Sequence, residues 1–218
     1  MKIVSFGDIH MATRNLARMR EVLRDADLVI ISGDLTNFGG IDDARRVLDS
    51  VRSVFPKILA LPGNLDRPEV LDLLEEQGVA LHGKGVSLGE VGIFGCGGSN
   101  MTPFGTPLEF SEEEILRTLR QGYEQVRAQR ALLMVCHTPP YETKCDRLPG
   151  GRPVGSMAAR RFIEEVRPHV CISGHIHESV ATDAIGPTAV VNAGPFKGGG
   201  YVVVTSNGGG LSASLEFL

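Results

Sequence analysis

Lys2-Ile3-Val4-Ser5-Phe6-Gly7-Asp8-Ile9-His10 is a short apolar run that stops on a polar cluster. Apolar runs of this length, bounded by turn residues, read as strands buried on both faces. The pattern returns four times. Leu28–Ser32 ends in Gly33-Asp34, and Lys57–Leu61 ends in Pro62-Gly63-Asn64. Ala131–Cys136 ends at His137, and Val170–Ser173 ends in Gly174-His175-Ile176-His177. Helical patterns separate the first three runs. Leu16, Met19, Val22 and Leu23 recur at helical spacing behind a cap expected at Thr13, and further helices are expected over Asp42–Val54 and Pro68–Gln77.

The middle of the chain changes character. Gly83–Leu88 and Gly92–Gly95 predict short hairpin-type strands, followed by a Gly-rich loop, Gly95–Asn100. Ser111–Arg130 predicts a long helix, with Ser111 as N-cap and Glu112, Glu113 and Glu114 in its acidic first turn. Ser156–Val166 is another helix. Ser179–Asp183, Thr188–Asn192, Tyr201–Thr205 and Leu211–Phe217 complete the chain as strands. Strands alternating with helices, then hairpin strands, predict an α/β fold with two mixed β-sheets packed face to face and helices flanking them. No linker interrupts residues 1–218, so one domain is expected.

Composition narrows the function. The chain has 218 residues, 42% of them apolar and 22% charged, enough for one sizeable core. A net charge of −4 argues against a dedicated nucleic-acid binder, which needs clustered Lys and Arg. No apolar run approaches the roughly 20 residues of a membrane span. The short apolar start also lacks the form of a signal peptide, so a cytoplasmic location and no membrane partner are expected. The four cysteines (Cys96, Cys136, Cys145 and Cys171) form no Cys-x-x-Cys pair and read as reduced, buried thiols.

The five strand-end clusters gather two Asp, an Asn and four of the six His. In α/β sheets ligands bind beyond the carboxyl ends of strands, so Asp8, His10, Asp34, Asn64, His137, His175 and His177 are expected on one rim. Taken singly, each cluster reads as a turn; their joint occurrence points to metal. Imidazole and carboxylate without thiolate suit manganese, iron, cobalt, nickel or zinc; these ligand types do not choose among them, and manganese is taken as the working expectation. Seven side chains are too few for two separate four-ligand sites, but suffice if one carboxylate bridges ions about 3.5–4 Å apart.

These five motifs, in this order, resemble those of the calcineurin-like metallophosphoesterase superfamily. The likeness to its small prokaryotic phosphodiesterases extends to Asn192-Ala-Gly-Pro-Phe-Lys-Gly-Gly-Gly200. The resemblance implies that Asp8, His10 and His177 bind one divalent metal ion, that Asn64, His137 and His175 bind a second, and that Asp34 bridges them. Asp34, Asn64 and His137 are thereby implied in catalysis, with a metal-bridging hydroxide attacking a phosphate ester, most simply a phosphodiester. The expected partner is a small phosphoester; a homo-oligomer is allowed.

One departure matters. Many members of the superfamily carry His after the motif's Asn, thought to protonate the leaving oxygen. Here the residue is Leu65, which cannot donate a proton, and Asp66 has no imidazole to orient. Other candidates read as structural. His82 is expected to be a satisfied turn histidine, and His169 lies at the opposite strand end. Thr138 reads as a substrate contact or, by preference, as the cap of the turn before Pro139-Pro140, and Tyr141–Arg152, with Lys144, Arg147 and Arg152, reads as a loop bordering the site and setting specificity or, by preference, as an ordinary solvated loop. The Gly95–Asn100 loop reads equally as a phosphate cradle or a turn. Two other functions compete: a binding or scaffold module of the same fold without catalysis, and a nuclease, which the acidic balance disfavours.

Overall fold

The computed structural model describes residues 1–206 and 208–218. In chain order the main elements of the first half are β1 (Lys2–Phe6), α1 (Leu16–Leu23), β2 (Leu28–Ile31), α2 (Ile41–Arg52), β3 (Ile58–Ala60), α3 (Glu69–Glu76), β4 (Gly85–Leu88) and β5 (Val91–Cys96). The paired segments β6 (Ser99–Asn100) and β7 (Glu109–Phe110) lead to α4 (Glu112–Val126). There follow β8 (Ala131–Cys136), α5 (Met157–Val166), β9 (Val170–Ser173), β10 (Ala181–Ile185), β11 (Thr188–Asn192), β12 (Gly200–Ser206) and β13 (Leu211–Phe217).

Two mixed sheets result, as expected. One has the order β13-β12-β1-β2-β3, with β1, β2 and β3 parallel and β12 antiparallel to β1. The other has the order β10-β11-β9-β8-β5-β4, with β5, β8, β9 and β11 parallel. Side chains alternate across each strand. Ile3, Ile30, Ile93, Leu133 and Ile172 pack between the sheets. Val4, Phe6, Val29 and Ile31 face α1, α2 and α3 on one outside, while Phe94, Met134 and Cys171 face α4 and α5 on the other. The continuous apolar runs follow from this: both faces of the central strands are covered. All four cysteines are buried and unpaired. No described helix is long and apolar enough to cross a membrane.

Two local expectations need correction. Thr13 does not cap α1; it opens a 3₁₀ turn, Thr13–Asn15, that has no side-chain cap. Asn15 instead donates to the carbonyls of Phe196 and Lys197, tying this turn to the segment after β11. The Gly-rich loop is also more regular than expected, since Ser99 and Asn100 pair with Glu109 and Phe110.

Candidate metal centre

The donors come from both sheets. The ends of β1, β2 and β3 supply Asp8, His10, Asp34 and Asn64, and the ends of β8 and β9 supply His137, His175 and His177. The parallel strands of the two sheets finish at the same end of the sandwich, so the seven side chains meet at its seam rather than along one open sheet.

They form two adjoining groups. His10 Nε2 lies 3.1 Å from His177 Nε2, 3.9 Å from Asp8 Oδ1 and 3.8 Å from Asp34 Oδ2. Donor atoms of Asp8, His10, Asp34 and His177 all lie within 4.8 Å of one another. On the other side, Asn64 Oδ1 is 2.8 Å from His175 Nδ1 and 3.3 Å from His137 Nε2. Asp34 Oδ2 is 3.6 Å from His137 Nε2, so a single oxygen faces both groups. Its companion Oδ1 accepts the Leu65 N–H at 2.8 Å, which fixes the carboxylate plane.

The backbone is held in unusual conformations to achieve this. Asp8, His10, Asp34 and His175 have φ of 48°, 49°, 47° and 65°, in the left-handed region, and Met11 and Phe38 on the same loops join them. Such strain persists only where the surroundings overdetermine it, and it concentrates at functional sites. The motif glycines serve close approach. A Cβ at Gly33 would collide with the His137 ring, and one at Gly63 with the Asp34 carboxylate.

Hydrogen bonds orient the imidazoles. Nδ1 of His137 faces the Ser32 carbonyl at 2.8 Å, and Nδ1 of His10 faces the Thr36 carbonyl at 3.3 Å. A carbonyl only accepts, so both rings carry their proton on Nδ1 and turn Nε2 inward, the arrangement of metal-ligating histidines. Burial disfavours the charged form of His137, but Asp34, Asp8 and the Ser32 carbonyl outweigh it and push its pKa up to about 9. Burial, reinforced by His137, lowers His175 to about 4. Burial opposes ionisation of Asp8, yet its hydrogen bond with His177 and the nearby imidazoles hold its carboxyl below the usual range. A divalent cation bound among these donors would be the largest local charge and would counter the same crowding. The donor set of two carboxylates, one amide oxygen and four imidazoles without thiolate fits such ions. His137 is wholly buried and Asp34 is 2% exposed, whereas the His177 side chain is 35% exposed, so the site opens to solvent past His177.

The remaining candidates fall outside this cluster. His82 accepts the Gly97 N–H at 3.1 Å, and burial lowers its pKa to about 4, as suits a satisfied structural histidine. His169 accepts the Leu132 N–H. Thr138 does not cap its turn; its hydroxyl donates to Asn100 Oδ1 at 2.7 Å. Nor is Tyr141–Arg152 merely solvated. The loop folds over Asp146, a wholly buried carboxylate that accepts the N–H groups of Glu142, Thr143 and Gly155. Arg147 bonds the loop's own carbonyls at Thr143 and Gly151. Thr106, which no motif or periodicity marks, accepts from Asn64 Nδ2 at 3.0 Å.

The family model described as calcineurin-like phosphoesterase matches residues 1–179. An uncharacterised protein of Methanocaldococcus jannaschii is 36% identical over 200 residues, covering 89% of this chain and 88% of its own. Among solved structures, the protein TT1561 of Thermus thermophilus shares the fold with a TM-score of 0.74 at 15% identity, covering 98% of this chain and 97% of its own. A dimetal phosphatase from Danio rerio has a TM-score of 0.64 at 13% identity, covering 100% and 96%. A structure described as that of a novel archaeal phosphodiesterase has a TM-score of 0.54 at 15% identity, covering 99% and 100%.

Proposed function

The chain belongs to the calcineurin-like phosphoesterase family, and from that premise we propose that it hydrolyses a small phosphodiester using two divalent cations. Asp8, His10 and His177 would hold one cation and Asn64, His137 and His175 the other, with Asp34 facing both groups of donors. The observation that carries this reading is the position of Asp34 Oδ2, 3.8 Å from His10 Nε2 and 3.6 Å from His137 Nε2. When bound, two such cations supply Lewis acidity toward the phosphoryl oxygens and lower the pKa of a water far below its bulk value.

The protein's own contribution is placement. Thr36 and Ser32 carbonyls aim the His10 and His137 rings, and the Leu65 N–H holds the Asp34 carboxylate. Burial of Asp8, Asp34 and His137 keeps bulk water from screening the charges that meet a phosphate. Leu65 adjoins the ligand Asn64 and has no proton to give. Without a positioned acid, a leaving group that is stable as an anion is favoured, because acid catalysis contributes most where the leaving oxygen is basic.

The test uses purified protein, manganese and paired aryl and alkyl phosphodiesters. Aryl esters are expected to turn over at least about tenfold faster than alkyl esters. Asp34→Asn should lower the aryl rate by about a thousandfold, since several kcal/mol of transition-state stabilisation is lost at about 1.4 kcal/mol per tenfold. Elemental analysis should find fewer than two ions per chain in that variant. Equal aryl and alkyl rates, with chemistry limiting, would remove the diester and leaving-group reading. Two bound ions without turnover on any ester would instead favour a non-catalytic binding module.

A further inference from the structure

We infer that Thr106, itself held by Glu109, is a positioning residue that locks the Asn64 amide with its oxygen toward His137 and His175. This deepens the proposed function, since it rests on reading Asn64 as a ligand.

An asparagine amide has nearly the same shape with its oxygen and nitrogen exchanged, so something must choose between the two orientations. Only the oxygen has a lone pair for a cation. The choice follows from counting protons. Asn64 Nδ2 lies 3.0 Å from Thr106 Oγ1, and Thr106 Oγ1 lies 2.6 Å from Glu109 Oε1. A hydroxyl has one proton and two lone pairs, whereas an ionised carboxylate only accepts. The single Thr106 proton therefore goes to Glu109, and Thr106 turns only lone pairs toward Asn64. A flipped amide would set oxygen against oxygen there and would point an NH₂ group at the cation site.

Glu109 is fixed as the acceptor by other donors. Its carboxylate also accepts from the Thr102 hydroxyl at 2.6 Å, the Thr102 N–H at 3.1 Å and the Thr106 N–H at 2.7 Å. These bonds outweigh the opposing effect of desolvation and hold the Glu109 pKa at about 2, so it stays ionised wherever the enzyme would work. The same segment grips the other end of Asn64, because the Leu108 N–H donates to the Asn64 carbonyl at 3.1 Å. The loop between β6 and β7 is thus a clamp on one ligand, at its backbone and at its amide.

The test compares Thr106→Val, which keeps the shape and loses the acceptor, with Thr106→Ser, which restores it. Manganese titrations followed by calorimetry and electron paramagnetic resonance report the affinity of each site. Loss of a partner that orients a ligand typically costs about 10–100-fold in metal affinity. Thr106→Val should therefore weaken one of the two sites by that factor and leave the other within about threefold, with Thr106→Ser close to wild type. The metal-free protein gives a second readout. Side-chain amide NMR should find the Asn64 NH₂ protons hydrogen-bonded in wild type and Thr106→Ser, and released in Thr106→Val. Unchanged affinities and amide signals in folded Thr106→Val would overturn the inference, as would failure of serine to rescue. A wild type that binds fewer than two ions would instead overturn the ligand role of Asn64, while the amide signals still decide the positioning.

Discussion

Asp66 is wholly buried, and both of its oxygens are fully engaged. Oδ1 accepts the Thr36 N–H at 2.8 Å and the Thr36 hydroxyl at 2.7 Å, and Oδ2 accepts the N–H groups of Leu35 at 3.0 Å and Gly63 at 2.8 Å. Those donors belong to the loops after β2 and β3 that carry Asp34 and Asn64, so Asp66 stitches two loops of the candidate site together. Asp66→Ala would leave three backbone N–H groups without this acceptor, at about 1–3 kcal/mol for each one left buried and unsatisfied. Denaturant unfolding should register a loss of at least about 3 kcal/mol, partly softened by entering water; a loss under about 1 kcal/mol would show that the stitch is dispensable. At this scale the seven donors were legible because each follows an apolar run and a turn. Asp66 was visible but lacked a partner, because its partners are backbone amides. Thr106 was invisible, since its meaning depends on a contact with Asn64, 42 positions earlier.

Helix α4 begins with a capping box: the Ser111 hydroxyl accepts the Glu114 N–H, and the Glu114 carboxylate accepts the Ser111 N–H. That cap was legible from Ser111 followed three residues later by Glu114. The next residue does something the sequence does not announce. Glu112 Oε2 accepts the Ser156 hydroxyl at 2.6 Å and the Ala158 N–H at 2.7 Å, while Ser156 Oγ accepts the Ala159 N–H. The first turn of α4 therefore also caps α5, and the two helices on the outer face of the second sheet are tied at their N-termini. Glu112→Ala and Ser156→Ala should each destabilise the protein by about 1 kcal/mol. The double variant should be non-additive, with a coupling of about 0.5–2 kcal/mol in a double-mutant cycle. Additive losses would mean that the two caps act independently. The helices themselves were readable from local periodicity, but a cap that crosses from one helix to another is tertiary and leaves no local trace.

At the scale of the molecule, the order of elements was legible and their division between two sheets was not. Strand pairing joins residues far apart in the chain: β12 lies against β1, with Lys2 opposite Thr205 and Ser5 opposite Val202. That division decides where the site sits. Asp8, His10, Asp34 and Asn64 stand on one sheet and His137, His175 and His177 on the other, so each proposed cation is held by donors from both layers. Such cations bind a seam that exists only in the folded chain, and ligands that favour the native state stabilise it by mass action. At a free manganese concentration about 100 times the dissociation constant, the gain is about 2.7 kcal/mol per site. For a domain of this size, each kcal/mol raises the melting temperature by about 2–4 °C. Manganese should therefore raise it by about 5–10 °C for one site and more for two, and a chelator should reverse the rise. Asp34→Asn, lacking the carboxylate that faces both groups, should keep only a small part of it. A melting temperature indifferent to manganese, in protein that elemental analysis finds loaded, would mean that the ions do not bridge the sheets at this seam.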